Sequence, residues 1–244
     1  MASALIPGCA LCVPKPPSVA PMTETTISVQ GQHTAWYTAE RATVVVAISF
    51  DGPHRNPVFS AATAALDAVR ETVTGRHDSE KGPITWWSAD AVRVWSERPW
   101  NTEGKQLDPV HHAALDLTAK FNDFTELASW IELVVAIPGA SVSGIDWSLT
   151  DATRTSATTE VRSRAVKDAV AKATVYAQSI GLGSVTATAI ADPGMLGDGG
   201  SGTPIAMDRM MLKSSYAPGG GEALELKPEQ IEVSAAVDAR FIAR

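Results

Sequence analysis

Cysteine is nearly absent: Cys9 and Cys12 are the only two in 244 residues, so no disulfide framework supports the fold. The pair is at most half a zinc site, because a tetrahedral structural site takes four ligands and no second pair exists. The histidines (33, 54, 77, 111 and 112) have no i,i+4 spacing that would complete one. Basic charge is also short. Lys and Arg number 20 against 27 Asp and Glu, a net charge of −7, which disfavours nonspecific binding to nucleic acid or to an anionic membrane. No stretch approaches the roughly 18 uninterrupted apolar residues of a membrane span. The best, Trp130 to Ile137, contains Glu132. Catalytic signatures are missing too. There is no P-loop, H-E-x-x-H or G-x-S-x-G pattern, and Gly181-x-Gly183 lacks the third glycine of a dinucleotide loop and follows a helix. The expectation is a non-enzymatic protein without a cofactor or metal centre.

What is present is core material. Hydrophobic residues make up 45% of the chain, enough to exclude wholesale disorder. Residues 1–24 stand apart as a Pro-rich tail carrying Pro7, Pro14, Pro16, Pro17 and Pro21. Pro7 and Gly8 interrupt its apolar run and no Lys or Arg precedes that run, so it does not read as a secretory signal. The expected location is the cytoplasm, with export to the cell envelope as the alternative. One domain is expected over 25–244, with a Gly-rich excursion at 192–228 in which Met207, Met210 and Met211 offer a soft contact surface or a loop tucked on the core.

Periodicity divides that domain into elements. Thr25 to Gly31 and Arg41 to Phe50 read as strands, the second ending at Asp51-Gly52-Pro53. Asn56-Pro57 opens a helix that Gly75 stops, with Val58, Ala62, Ala65 and Val69 on one face. Ile84 to Trp95 reads as a single strand, and His111 to Phe121 alternates cleanly. Asn122-Asp123 caps a helix whose apolar positions are Phe124, Leu127, Ala128, Ile131 and Val135. Val142 to Leu149 is a strand. A long helix from Asp151 or Thr153 to about Ile180 follows, with a narrow stripe of Val161, Ala165, Ala169, Ala173, Tyr176 and Ile180. Val185 to Ile190 and Ile231 to Ile242 close the series. The order β-β-α-β-β-α-β-α-β-β, with a split-βαβ middle, points to an α+β fold: helices packed on one mixed, mainly antiparallel sheet.

Several stretches resemble the SIMPL family. Ile27-Ser28-Val29-Gln30-Gly31 followed by Ala39-Glu40-Arg41-Ala42 is similar to its V-x-G-x-G and P-D-x-A opening, with Gln32-His33 at the second glycine and Ala39-Glu40 where Pro-Asp is common. Gly139-Ala140-Ser141-Val142-Ser143-Gly144-Ile145 resembles its turn into a strand. Arg162 to Ala177 with Ile180-Gly181-Leu182-Gly183 resembles its Ala-rich helix and stop, and Lys227 to Val237 its terminal strand. The resemblance implies a protein without established catalytic residues, linked in relatives to signalling partners, envelope antigens, tolerance of oxidative stress and large oligomers. The expected partners are therefore further copies of this chain or an unidentified protein, with neither nucleic acid nor a membrane span involved.

Tryptophan is the unusual feature. Trp86, Trp87, Trp95 and Trp100 crowd fifteen positions out of 244. On one continuous strand Trp87 and Trp95 share a face and Trp86 takes the other. Trp87, Trp95 and Trp100 are the candidate interaction residues, as a subunit anchor or as a platform for a small molecule or glycan, against the alternative of core filling. His111 and His112 open a strand and should point to opposite faces, which prevents joint chelation of one metal.

Overall fold

The structure, a computed structural model, describes residues 24–196 and 226–244. Among these residues three helices and eight strands form an α+β fold: β1 (Thr25–Thr38), β2 (Arg41–Gly52), α1 (Arg55–Thr74), β3 (Ile84–Ala89), β4 (Arg93–Glu97), β5 (Val110–Phe121), α2 (Phe124–Val135), β6 (Ala140–Ser148), α3 (Asp151–Ser179), β7 (Val185–Ala191) and β8 (Gln230–Ala243). The α+β class holds, and every ladder between named strands is antiparallel. The single sheet does not. The strands divide into a three-stranded sheet, β1-β8-β7, and a five-stranded sheet, β3-β5-β2-β6 with β4 also on β5. The physical reason is pairing choice. β1 gives its whole length to β8, from Thr25 opposite Ala243 to Thr38 opposite Gln230, and forms no ladder with β2.

The five-stranded unit realises the split-βαβ middle. β2 lies between β5 and β6, and α1 and α2 cover one face. The even positions of β2 (Ala42, Val44, Val46, Ile48) and the odd positions of β5 (Ala113 to Phe121) are buried there against Val58, Ala62, Val69 and Val73 of α1. From α2 the inward set is Leu127, Trp130, Ile131 and Val134, whereas Val135 is exposed. The expected stripe was displaced to one flank, because a 12-residue helix has two overlapping apolar faces and the sheet selects one. Asp123 caps α2 as expected, accepting from the backbone N–H groups of Thr125 (2.9 Å) and Glu126 (3.1 Å). Gly139, at φ +77°, turns the chain into β6, where a Cβ would strike the Phe50 ring.

The other unit packs α3 on the three-stranded sheet. Ala165, Ala169, Ala173 and Ala177 are buried against Ile27, Val237, Ala239 and Phe241. The buried row keeps to steps of four and ends on Ala177; Tyr176 and Ile180, each three residues beyond a member of that row, fall off it and are exposed. β1 is an edge strand, and α3 closes its free side. Asp168 Oδ2 accepts from the Gln32 backbone N–H at 2.8 Å, and Lys172 Nζ donates to the Gln30 carbonyl at 3.0 Å. Asp168 and Lys172 pair with each other at 2.7 Å. An unpaired edge is a template for unwanted strand addition, and this pair occupies it at Gln30 and Gln32.

Candidate functional site

The strand expected over 84–95 is broken. β3 and β4 both lie antiparallel to β5, with Ala89 opposite Leu117 but Arg93 opposite Ala114. Four steps along one chain match three along the other. That single-residue slip turns every later side chain to the opposite face. Trp87 sits opposite Ala119 on the helix-covered side and packs half-buried against the core. Trp95 sits opposite His112 and Trp86 opposite Lys120, both on the face that no helix covers among the described residues. The expectation that Trp87 and Trp95 share a face is overturned, and the pair that does is Trp86 and Trp95.

Each of these tryptophans rests on a β5 side chain. The Trp95 and His112 rings stack at 5.2 Å with 20° between their planes. His112 Nε2 lies 3.5 Å from Glu97 Oε1, a contact that becomes an ion pair only when the imidazole is protonated. Lys120 Nζ lies 5.9 Å from the centre of the Trp86 ring, within cation–π range. Trp86 is 48% exposed, Trp95 47% and Trp100 67%. Trp100 stands on the loop after β4, bridged to Gln106, in a turn that Asn101 organises by accepting from the Glu103 and Lys105 N–H groups. Between the two ends run the outer positions of β2 and β5, which include Thr43, Val45, Ala47, Ala114 and Thr118. His111 has the parity of buried Ala113 and His112 the opposite, so the two diverge as expected.

Sequence reasoning missed Trp36. β1 does not stop at Gly31 but runs to Thr38, and Trp36 stands exposed opposite Glu232 on the outer face of the three-stranded sheet. The signal was there. Ser28, Gln30, Gln32 and Thr34 continue the outward polar alternation beyond Gly31.

An open depression of about 950 Å³ lies between the end of α1 and the start of α2, lined by Arg76, His77, Asp78, Lys81, Asp123 and Glu126 among others. Its carboxylates are largely engaged. Asp123 caps α2, Asp78 accepts from the Glu80 and Lys81 N–H groups, and Glu126 approaches Arg76 at 3.7 Å. Among the described residues no cluster of three or more His, Cys, Asp or Glu could hold a metal ion. Cys9, Cys12, Met207, Met210 and Met211 lie outside the described residues. No helix among the described residues is long and apolar enough to cross a membrane.

Three carboxylates are held below their ordinary range. The hydroxyl of Thr150 and then its N–H depress Glu40, aided by Thr153. Backbone N–H groups of Glu80 and Lys81 depress Asp78. Lys172 and then the Gln32 N–H depress Asp168. A group with a lowered folded-state pKa binds its proton more readily when unfolded. Its stabilisation is therefore present above the unfolded carboxylate value of about 4 and is lost as the pH falls through the folded value. The thermal midpoint should drop from pH 5 to pH 3, and less steeply in Asp168→Asn than in the wild type. Parallel curves for the two proteins would show that Asp168 does not contribute to the acid sensitivity.

The family model described as "SIMPL: Protein of unknown function (DUF541)" matches residues 27–241. No curated protein matches. A solved structure described as "The crystal structure of AtUAH in complex with glyoxylate" is similar at 15% identity and a TM-score of 0.31, over 53% of this chain and 34% of that one. This chain thus spans about a third of that protein, and a likeness so slight carries no argument. The family match runs from the first strand to the last, through the Gly31, Gly139 and Ala-stripe positions that the fold uses, and the chain belongs to the SIMPL family.

Proposed function

We propose that this SIMPL-family chain acts without catalysis, through contacts with other protein surfaces and in the first place with copies of itself, in a setting of stress tolerance or signalling. The observation that carries the reading is the pair of half-exposed tryptophans on one sheet face that no helix covers among the described residues. Tryptophan is enriched among the residues that dominate protein interfaces. Trp86 and Trp95 pair with Lys120 and His112, eight residues apart on β5. At about 3.4 Å per residue they stand roughly 27 Å apart. That span suits an extended partner surface better than one small molecule or sugar. The chain is acidic, but this face carries Arg41, Arg93 and Lys120 beside Asp51, Asp116 and Asp146, so a second copy can approach it without a uniform field of like charge.

Sedimentation or light scattering at tens of micromolar tests the reading. The expected mass exceeds the 25.7 kDa of one chain, and Trp86→Ala with Trp95→Ala should weaken association by about tenfold or more without unfolding. A wild type that stays monomeric would refute self-assembly. An assembly indifferent to both replacements would place the contact elsewhere. A saturable fluorescence change with a glycan, lost in Trp95→Ala, would favour the alternative of a binding module.

A further inference from the structure

Residues 41–148 form one continuous stretch, and they supply the whole five-stranded sheet with α1 and α2. They are inserted between β1 and α3, which belong to the other sheet with β7 and β8. The two hydrophobic clusters share no residue, and every extensive packing of one element on another falls within one unit. The chain crosses between the units at Ala39-Glu40 and again at Leu149-Thr150, two residues each time. Leu226, ahead of β8, makes a third tie by packing against the five-stranded core.

Glu40 binds the two short crossings to each other. Its backbone N–H donates to the Ser148 carbonyl at 2.9 Å. Its carboxylate accepts from the Thr150 N–H (2.8 Å), the Thr150 hydroxyl (2.7 Å) and the Thr153 hydroxyl (2.9 Å). Thr150 is itself the N-cap of α3, accepting from the Thr153 N–H. The carboxylate therefore sits at the positive end of a 29-residue helix and holds the first turn of one unit against the last residue of the other. Ala39 and Leu149 are buried alongside it. We infer that the 39–40 and 149–150 crossings are a hinge between two separately packed units, and that the Glu40 carboxylate is the latch that fixes their angle.

The physical case is one of competing sizes. Units that share little apolar surface move relative to each other by default. Hinges are a few residues at element ends that absorb changes in φ and ψ. A charged acceptor with three donors is the strongest local restraint at this junction. The latch decides how the Trp86–Trp95 face is presented relative to the three-stranded sheet. The inference does not depend on the assembly reading, since it concerns the single chain.

The test measures the distance between spin labels at Ser129→Cys on α2 and Ser163→Cys on α3, in the full chain with Cys9→Ser and Cys12→Ser. The parent should give one narrow distribution. Glu40→Gln removes the charge and leaves one acceptor oxygen in place of two, and should widen the distribution by about twofold or more, while the amides of β5 and β8 keep their hydrogen-exchange protection. Glu40→Asp, which keeps the charge, should restore part of the narrowing. An unchanged width in a folded Glu40→Gln overturns the latch. So does joint loss of protection in β5 and β8, which would make Glu40 part of a common core. Should Glu40→Gln not fold, Thr153→Val, which removes one donor, decides: a broader distribution supports the latch and an unchanged one overturns it.

Discussion

Gly31→Val is expected to destabilise the protein by about 3 kcal/mol or more and to lower its thermal midpoint by roughly 10 °C. Position 31 lies in the row of β1 that faces α3. A Cβ there would overlap the Ala165 carbonyl oxygen and stand 2.6 Å from the Ala169 nitrogen and 2.7 Å from its Cβ. Two of these are backbone atoms of a helix, which cannot turn aside as a side-chain end can. The helix would have to lift, and the contacts of Ala165, Ala169, Ala173 and Ala177 with Phe241 and Ala239 would loosen together. Against this stands the preference of strands for valine over glycine, worth at most about 1 kcal/mol. The clash wins. Gly144→Val is the control, since a Cβ there meets nothing within 4 Å and the same preference acts unopposed. Urea unfolding of both variants checks the claim. If both are as stable as the wild type, the close approach of α3 to β1 is wrong. If both fall alike, the cause is general to strands.

Trp130→Ala should cost about 4 kcal/mol, in the range for a buried aromatic removed whole. Trp130 is fully buried on α2, its ring 5.1 Å from that of Phe121 at the end of β5. Its Nε1–H donates to Thr72 Oγ1 on α1 at 2.9 Å. One side chain thus joins both helices to the sheet. The hydrogen bond is the smaller part, because Thr72 Oγ1 also donates to the Val69 carbonyl at 2.7 Å and is not orphaned by the loss. Trp130→Phe, which keeps most of the apolar contact, should therefore cost only about 1 kcal/mol for the lost bond, plus a little for volume. Denaturant midpoints for the two variants separate the contributions. Equal losses would mean that the hydrogen bond, not the packing, holds α2 in place. Trp95→Ala supplies the contrast: half exposed and stacked on His112, it should cost about 1 kcal/mol, well short of Trp130→Ala.

Much of the local structure was legible. The strict alternation of Ala113, Leu115, Leu117 and Ala119 marked β5 and its inward face, Asp123 marked the start of α2, and the four-residue recurrence of alanine marked the buried side of α3. Each of these signals is carried by residues within a few turns of one another. The facing of the tryptophans was read less well. Of the three candidates Trp95 and Trp100 are exposed and Trp87 packs half-buried on the core, while Trp86 shares the face of Trp95 and Trp36 lies on the stretch of β1 beyond Gly31. The slip between Ala89 and Arg93 has no local mark, because it is fixed by where β5 meets each piece. The displaced stripe of α2 has the same origin: Trp130 and Ala128 are both apolar, and the opposing sheet determines which one is buried deepest.

Taken alone, the order of residues determined most of the elements, though not the full length of β1 or the break between β3 and β4, and it determined the α+β class, the split-βαβ middle and the family, since these depend on short-range periodicity and on motifs a few residues long. The division into two sheets, the facing of the tryptophans and the tie at Glu40 were decided only by tertiary structure. They depend on partners far apart in the chain: Thr25 with Ala243, Lys120 with Trp86, Glu40 with Thr150. Pairing over such distances is chosen by the free energy of whole ladders and cores, and a one-residue change in register, invisible in any local window, exchanges one face of a strand for the other.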